Sequence, residues 1–351
     1  MSEAAVAGIG TAGPLRRGLL PRWTPLAVLA AAALMTAGLF AITELQGTAG
    51  FLMVGSVVFL AAQTVVSVRV EGRRRAVDRF VSSLVVLSFL LALAPLISVL
   101  SYTVLKGLTR FDTEFFTRSL RNIGARDAGG GAYHALVGTL EQVAITTAIC
   151  VPFGLLVAIY IVEYGRGRLA AIIRFFVDVM TGIPSIVAGL FVLSFWILGL
   201  GQGFSGFAAS LALTVLMLPV IVRASEEMLK LVPDVLREAS YALGVPRWKT
   251  ILRIVLPTAL PGIVTGIMLA IARVAGETAP VLLTAFGAAS INTDPFHGPQ
   301  SSLSLYVFQQ AGEAQSTAVD RAWTAALTLI MVVMALNLVA RLLTRRNRLQ
   351  R

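Results

Sequence analysis

Cysteine, histidine, lysine and charge of either sign are all scarce in this sequence of 351 residues. A lone cysteine, Cys150, leaves no partner for an internal disulfide and no thiolate cluster for a metal. Its place inside an apolar run reads as a small buried packing residue. The two histidines, His134 and His297, have no carboxylate pairs nearby and so make no metal site; both read as solvated loop residues. Charged residues make up 13%, where a soluble domain has about 25%. Apolar residues make up 57% and the mean hydropathy is +0.83, which excludes a pair of ordinary soluble domains. A net charge of +11 raises the question of nucleic acid. The arginines cluster just outside apolar runs, the pattern that orients a membrane protein. The expected partner is therefore a lipid bilayer and no nucleic acid.

Eight runs have the length of a spanning helix, roughly 20 mainly apolar residues. They are Pro25–Ile42, Phe51–Val68, Val81–Leu105, Ala135–Val162, Leu169–Leu198, Phe207–Val222, Thr258–Gly287 and Trp323–Leu343. The first is long for a signal peptide and no clear cleavage site follows it, so it reads as a retained helix. Basic residues concentrate in the N-terminal segment (Arg16, Arg17, Arg22), the second, fourth and sixth loops, and the tail (Arg341 to Arg351). That places both termini in the cytoplasm. The third loop, Lys106 to His134, is an exception with five basic residues. Gly129-Gly130-Gly131 closes that loop and reads as a flexible entry to the next helix.

Two charges lie deep inside the run Thr258–Gly287: Arg273 and Glu277. A charge at helix centre costs roughly 2.5–3.5 kcal/mol on insertion scales, so such residues face a cavity or a partner. Four apart, they share a face if the helix is continuous. The pair then reads either as an internal salt bridge or as an anion site, since guanidinium is a rigid fork of donors suited to a tetrahedral oxyanion. Thr278 adds a hydroxyl and Pro280 loosens the helix beyond. The stretch TGIPSIVAGL, Thr181 to Leu190, weakens the fifth run at Gly182 and Pro184. Its hydroxyls, Thr181 and Ser185, line a pathway or merely flank a packing kink. Arg174 and Asp178, again four apart, read as a local ion pair.

The loop Leu231–Pro257 reads as a short helix begun by Pro233 and Asp234, ended by Gly244, with a second helix begun by Pro246. Arg237 and Glu238 put charges at its rim and small Ala239 allows close approach. It is either a docking knob for a partner's groove or a solvated surface loop. No phosphate-cradling loop is evident: in the nearest string, GVPRWKT, Trp248 stands where the second glycine must be.

Glu238-Ala239, Gly244 and Ile254-x-Leu256-Pro257 resemble the EAA loop of ABC importer permeases, with Ser240 in place of the last alanine. GGGAYHALVGTL, TGIPSIVAGLF, ARVAGETAPVLLTA and SLSLYVF are similar to the phosphate-specific ABC permeases, in their PstA-type form. The resemblance implies an all-α integral membrane protein. Its type I ABC importer core would have six transmembrane helices over residues 80–345, with the EAA loop at 231–257. Two extra helices in 25–79 make eight; 1–24 and 346–351 would be cytoplasmic. It implies a phosphate importer subunit that is not itself an enzyme, with no catalytic residues, metal or cofactor of its own. ATP and Mg would be bound by a PstB-type ATPase dimer. A PstC-type permease would complete a heterodimer and a PstS-type phosphate-binding protein would dock outside, all at the bacterial inner membrane. Arg273 and Glu277, with Thr278, Thr181 and Ser185, would line the substrate pathway; Arg237, Glu238, Ala239 and Gly244 would couple to the ATPase. Competing readings are a permease for sulfate or molybdate, a self-contained channel or secondary transporter, and a signalling scaffold.

Overall fold

The computed structural model describes residues 20–43, 47–165 and 167–348, without the side chains of residues 49 and 343–348. Arg16, Arg17, Arg166 and the end of the tail lie outside the described residues. Regular structure among the described residues is helical, apart from one isolated bridge between Phe286 and Gln300. In chain order the helices are α1 Thr24–Ile42, α2 Thr48–Glu71, α3 Arg73–Gly107, α4 Thr113–Thr117, α5 Tyr133–Ile159, α6 Arg168–Thr181 and α7 Ser185–Val192. Then follow α8 Gly206–Lys230, α9 Asp234–Ala242, α10 Arg247–Thr250, α11 Leu256–Ala275, α12 Ala279–Ala285, α13 Leu303–Ala311 and α14 Ser316–Arg348. Single π-helical stretches extend α5 (Tyr160–Tyr164) and α7 (Leu193–Gly199) and lead into α11 (Ile251–Val255).

Among the described residues, seven helices are long and apolar enough to cross a membrane. An eighth span exists if the pair Arg168–Thr181 and Ser185–Gly199, bent by 105°, counts as one. The bend falls at Gly182-Ile183-Pro184, where proline cannot continue the ladder of the preceding helix. The run Thr258–Gly287 is not one helix. The span is Arg247–Ala275, and Gly276, Glu277 and Thr278 separate it from the short α12. Pro280 does not loosen a helix there; it occupies the first turn of a new one, where its missing N–H costs nothing.

The chain forms two compact units, Met1–Leu100 and Ser101–Arg351. In the first, Glu71 closes α2 onto the start of α3. It accepts from Ser67 Oγ at 3.0 Å and pairs with Arg79 Nε at 2.6 Å, across a turn in which Gly72 takes φ 88°. An apolar hollow of about 360 Å³ opens beside Phe51, Phe59 and Leu87.

The second unit is built on α8, which packs α5, α11, α12, α7 and α6 around itself. Lipid tails give helices no hydrophobic reason to associate, so close backbone approach matters. A methyl on Gly154 would come within 2.7 Å of Ile221 Cγ2, and one on Gly262 within 2.8 Å of Met228 Cγ. Cys150 is fully buried in this seam, its thiol directed at the Thr214 carbonyl. Polar side chains cross the same seam: Thr146 Oγ1 donates to the Ser210 carbonyl and Ser210 Oγ to the Gln142 carbonyl, each at 3.3 Å.

The third loop is clamped. Arg321, 1% exposed, donates to Gln310 Oε1 and to the carbonyls of Asp127, Gly129, Gly124 and Ala125. Arg110 donates to the Ala128 and Gly130 carbonyls. The glycine run is therefore held fast: Gly130 takes φ 85°, and a side chain on Gly131 would strike the carbonyls of Glu114, Phe115 and Arg118. His134 is not solvated. It lies 2% exposed in α5 against the Tyr306 ring, and its Nδ1 has no partner among the described residues.

Arg321→Gln removes most of these donors and leaves buried carbonyls unsatisfied. We expect a loss of about 3 kcal/mol, measured as an earlier unfolding midpoint in detergent with protease cleavage in residues 118–130. An unchanged midpoint would show that the loop is held by other contacts.

Candidate functional site

Arg273 occupies the last turn of α11, where a cation complements the negative end of the helix dipole. The helix closes with Gly276 N–H donating to the Arg273 carbonyl at 3.2 Å. Glu277 lies beyond that cap, so the two charges are brought together by a chain break and not by one helical face. Arg273 Nε and Glu277 Oε1 are 3.9 Å apart, with the side chains 59% and 20% exposed. This is a loose ion pair with no direct hydrogen bond. Ser304 Oγ donates to the Glu277 carbonyl at 2.9 Å and ties the break to α13.

The second break lies in a neighbouring element. α7 starts after Pro184, and α12 packs against it. A methyl on Gly189 would approach Pro280 Cα to 2.8 Å. Gly189 follows Ser185 by one helical turn, and Pro280 follows Thr278 by two residues, so both half-helices begin in the same region. Thr181 Oγ1 donates back to the Val177 carbonyl at 2.7 Å, and Thr278 makes no side-chain cap to α12. Half-helices starting at membrane depth are tolerated where protein or a wet cavity covers them.

Arg174 and Asp178 do not pair with each other. Arg174 reaches Glu226 Oε1 at 3.0 Å, and Asp178 meets Arg223. Glu226, buried near the end of α8, also meets Arg223 at 3.3 Å and Lys230 at 3.0 Å. One buried carboxylate thus gathers three cations and ties α6 to α8, which the i,i+4 spacing on a single helix does not reveal.

Loop 231–257 folds as expected: α9 starts after Pro233 and ends into Gly244 at φ 73°, and Pro246 precedes α10. Ser240, where the family pattern has alanine, is buried, and its hydroxyl meets Thr250 Oγ1 at 2.8 Å. Glu238, Ala239 and Gly244 are exposed. Arg237 turns inward, 12% exposed. It pairs with Glu163 at 2.9 Å, donates to the carbonyls of Leu229 at 2.9 Å and Val232 at 2.6 Å, and meets Asp234 at 3.1 Å. Glu163, Glu226 and Gln300 are the residues that sequence reasoning missed. Glu163 and Glu226 are polar groups at or near the edge of an apolar run, and that was the available signal; Gln300 lies in the loop between α12 and α13 and carried no such signal.

At the far end of α5, segment 300–304 wedges between α5 and α8. Gln142 Nε2 donates to Gln300 Oε1 at 3.0 Å, Gln300 Nε2 to Glu141 Oε2 at 2.6 Å, and Leu303 N–H to Thr139 Oγ1 at 2.7 Å. Gly138 and Gly206 leave no room for a side chain beside it: a methyl on either would overlap Ser301 or Gln300.

Residues 150–348 match the family model described as binding-protein-dependent transport system inner membrane component. A phosphate transport system permease protein PstA 1 of Mycobacterium tuberculosis is 51% identical over 79% of this chain and 92% of its own. The chain belongs to the PstA family of phosphate transport permeases. A PstA of Yersinia pestis is 39% identical over 77% of this chain and 90% of its own. The structure of the inward-facing MetNI methionine ABC transporter aligns with a TM-score of 0.46 at 23% identity, over 62% of this chain and 94% of that one. As a PstA-family chain, this protein is a permease subunit of an ABC transporter. The matched family region contains both helix breaks and loop 231–257. Among the described residues no group of three His, Cys, Asp or Glu is placed to hold a metal ion.

Gly138→Ala forces segment 300–302 off α5. A loss of about 1–3 kcal/mol is expected, read from the thermal midpoint of the chain in detergent. Gly138→Ala with wild-type stability would mean that the segment shifts freely.

Proposed function

We propose that this chain is the PstA-type half of an ATP-driven importer of inorganic phosphate, with Arg273 and Glu277 in the substrate pathway. The cargo reading is supported by the phosphate transport permease name that its relatives carry along most of this chain. One observation carries the reading of the site: Arg273 stays 59% exposed, 3.9 Å from its carboxylate, at a helix break inside an apolar stretch. A structural salt bridge would be closed and hydrogen-bonded, because an unsatisfied buried charge is costly. A loose pair leaves the guanidinium fork free to take an oxyanion.

In this reading Glu277 holds Arg273 when no anion is present. It accepts a hydrogen bond from the P–OH that phosphate keeps at neutral pH and sulfate lacks. Thr278 and Ser185 add hydroxyls beside the half-helix starts, and Thr181 marks the end of α6. The loop carrying Glu238, Ala239 and Gly244 faces the cytoplasm, as do both termini, and docks on an ATPase. The chain is not itself catalytic: Trp248 blocks its nearest approach to a phosphate loop, and ATP and Mg are bound by a PstB-type dimer. A PstC-type permease forms the other half, and a PstS-type binding protein delivers phosphate from outside.

The test is labelled-phosphate uptake in cells lacking their own permease, with sulfate run alongside and assembly with the ATPase checked by pull-down. Arg273→Ala, still assembled, is expected to lower phosphate uptake by about 10–100-fold, the worth of a charge-assisted hydrogen bond. Normal uptake by that variant would make Arg273 a packing charge. Uptake of sulfate alone by the wild type would overturn the cargo reading. Glu277→Gln is expected to reduce discrimination against sulfate, measured as the ratio of the two uptake rates; an unchanged ratio would remove Glu277 from selectivity.

A further inference from the structure

Helix α9 is poorly anchored by packing. Ser240 is its one buried residue, while Val235, Leu236, Tyr241 and Leu243 are exposed. Its hold on the rest of the unit is polar and comes at two points. One is the Ser240–Thr250 hydroxyl pair. The other is Arg237, which reaches out of α9 to the Glu163 carboxylate and to two carbonyls at the end of α8.

Glu163 is 3% exposed on its side chain, and Arg237 is the one cation within ion-pair distance of it among the described residues. It lies in the π-helical turn Tyr160–Tyr164 that finishes α5, and such turns recur at functional sites. A second arginine from the same loop grips the same turn. Arg247 donates to the Glu163 carbonyl, and its guanidinium lies 4.9 Å from the Tyr164 ring centroid. Arg237 and Arg247 flank Gly244, so both arms of the loop converge on one turn. A cleft of about 450 Å³ lies alongside, lined by Glu163, Arg237, Arg247 and Lys230 together with Val162 and Tyr241.

From that turn α5, a single helix that carries Pro152 in its interior, runs to Gly138, Glu141 and Gln142, the residues that hold segment 300–304. At 1.5 Å per residue, Gly138 and Glu163 are separated by about 38 Å. We infer that Glu163 is the receiving end of the loop's motion, and that α5 is the rod that delivers it to the Gln300 segment. Glu163 acts through Arg237 and α5, so it is a positioning residue. The inference rests on the reading of the chain as a permease driven by an ATPase docked on α9, but not on the identity of the cargo.

The experiment uses the full transporter, with this chain co-expressed with its permease partner and ATPase and held in lipid nanodiscs. Two quantities are read: hydrogen exchange at residues 160–164 with and without ATP and Mg, and ATP hydrolysed per phosphate moved. In the wild type, ATP should change exchange at 160–164. Glu163→Gln should abolish that change while the ATPase stays bound and active, and ATP used per phosphate should rise about fivefold or more. Glu163→Asp, which keeps the charge, should recover most of the response. Arg237→Lys should mimic Glu163→Gln, because ammonium cannot serve the carboxylate and both carbonyls with one rigid fork; it also serves as the test if Glu163→Gln fails to assemble.

A wild-type response retained in Glu163→Gln or in assembled Arg237→Lys overturns the inference. So does a proportional fall of hydrolysis and transport in either variant, or a wild type whose 160–164 turn ignores ATP. A complex showing the Glu163-dependent response without phosphate uptake supports the inference and sinks the cargo reading instead.

Discussion

Ionised groups buried at the margins of an apolar slab need partners, and that requirement organises the second unit of this protein. Glu226 gathers Arg174, Arg223 and Lys230. Glu163 takes Arg237, and Arg321 is surrounded by carbonyls and an amide. Each of these knots joins elements distant in sequence: α6 to α8, α9 to α5, α14 to the third loop. Packing alone could not choose among helix arrangements in lipid, where one apolar surface serves as well as another. Against this background of satisfied charge, Arg273 is the exception, loosely paired and exposed at a break.

The spanning helices were legible because lipid thickness imposes a length, and length is visible in composition. The break at Gly182-Ile183-Pro184 was legible because glycine and proline fall together there; the single prolines Pro95, Pro152, Pro219 and Pro261 are carried inside their helices. The break at Gly276 was not: a lone glycine is tolerated within a helical pattern and Pro280 lies downstream, so the whole stretch from Thr258 read as one run. Arg273 and Glu277 were named correctly as neighbours for a reason that does not hold, since no continuous helix carries them both. Arg174 and Asp178 misled in the same way. Spacing reports which residues share a face, but a partner on α8 competes for the same charge. His134 was misread because the preceding glycines suggested open loop, whereas those glycines permit tight closure. In loop 231–257 the turn chemistry of Pro233, Gly244 and Pro246 was local, and the structure follows it.

The basic third loop had looked like a violation of the charge bias that orients membrane proteins. Arg110 is engaged by Asp112 and the carbonyls of Ala128 and Gly130, so it shapes the loop. Ser240 offers a similar lesson at smaller scale. The departure from the EAA pattern is a buried hydroxyl meeting Thr250, a link alanine could not make, and it strengthens the hinge between α9 and α10.

Cys150 lies sealed in the α5–α8 seam, with no exposed surface. Its thiol is closed to water-borne reagents as long as the seam holds. A cysteine introduced anywhere on the surface would therefore be the one site that takes a dye or spin label, without first stripping the chain of its own sulfur. Labelling of Cys150 itself would be a sensitive alarm, because it would report that α5 and α8 had parted.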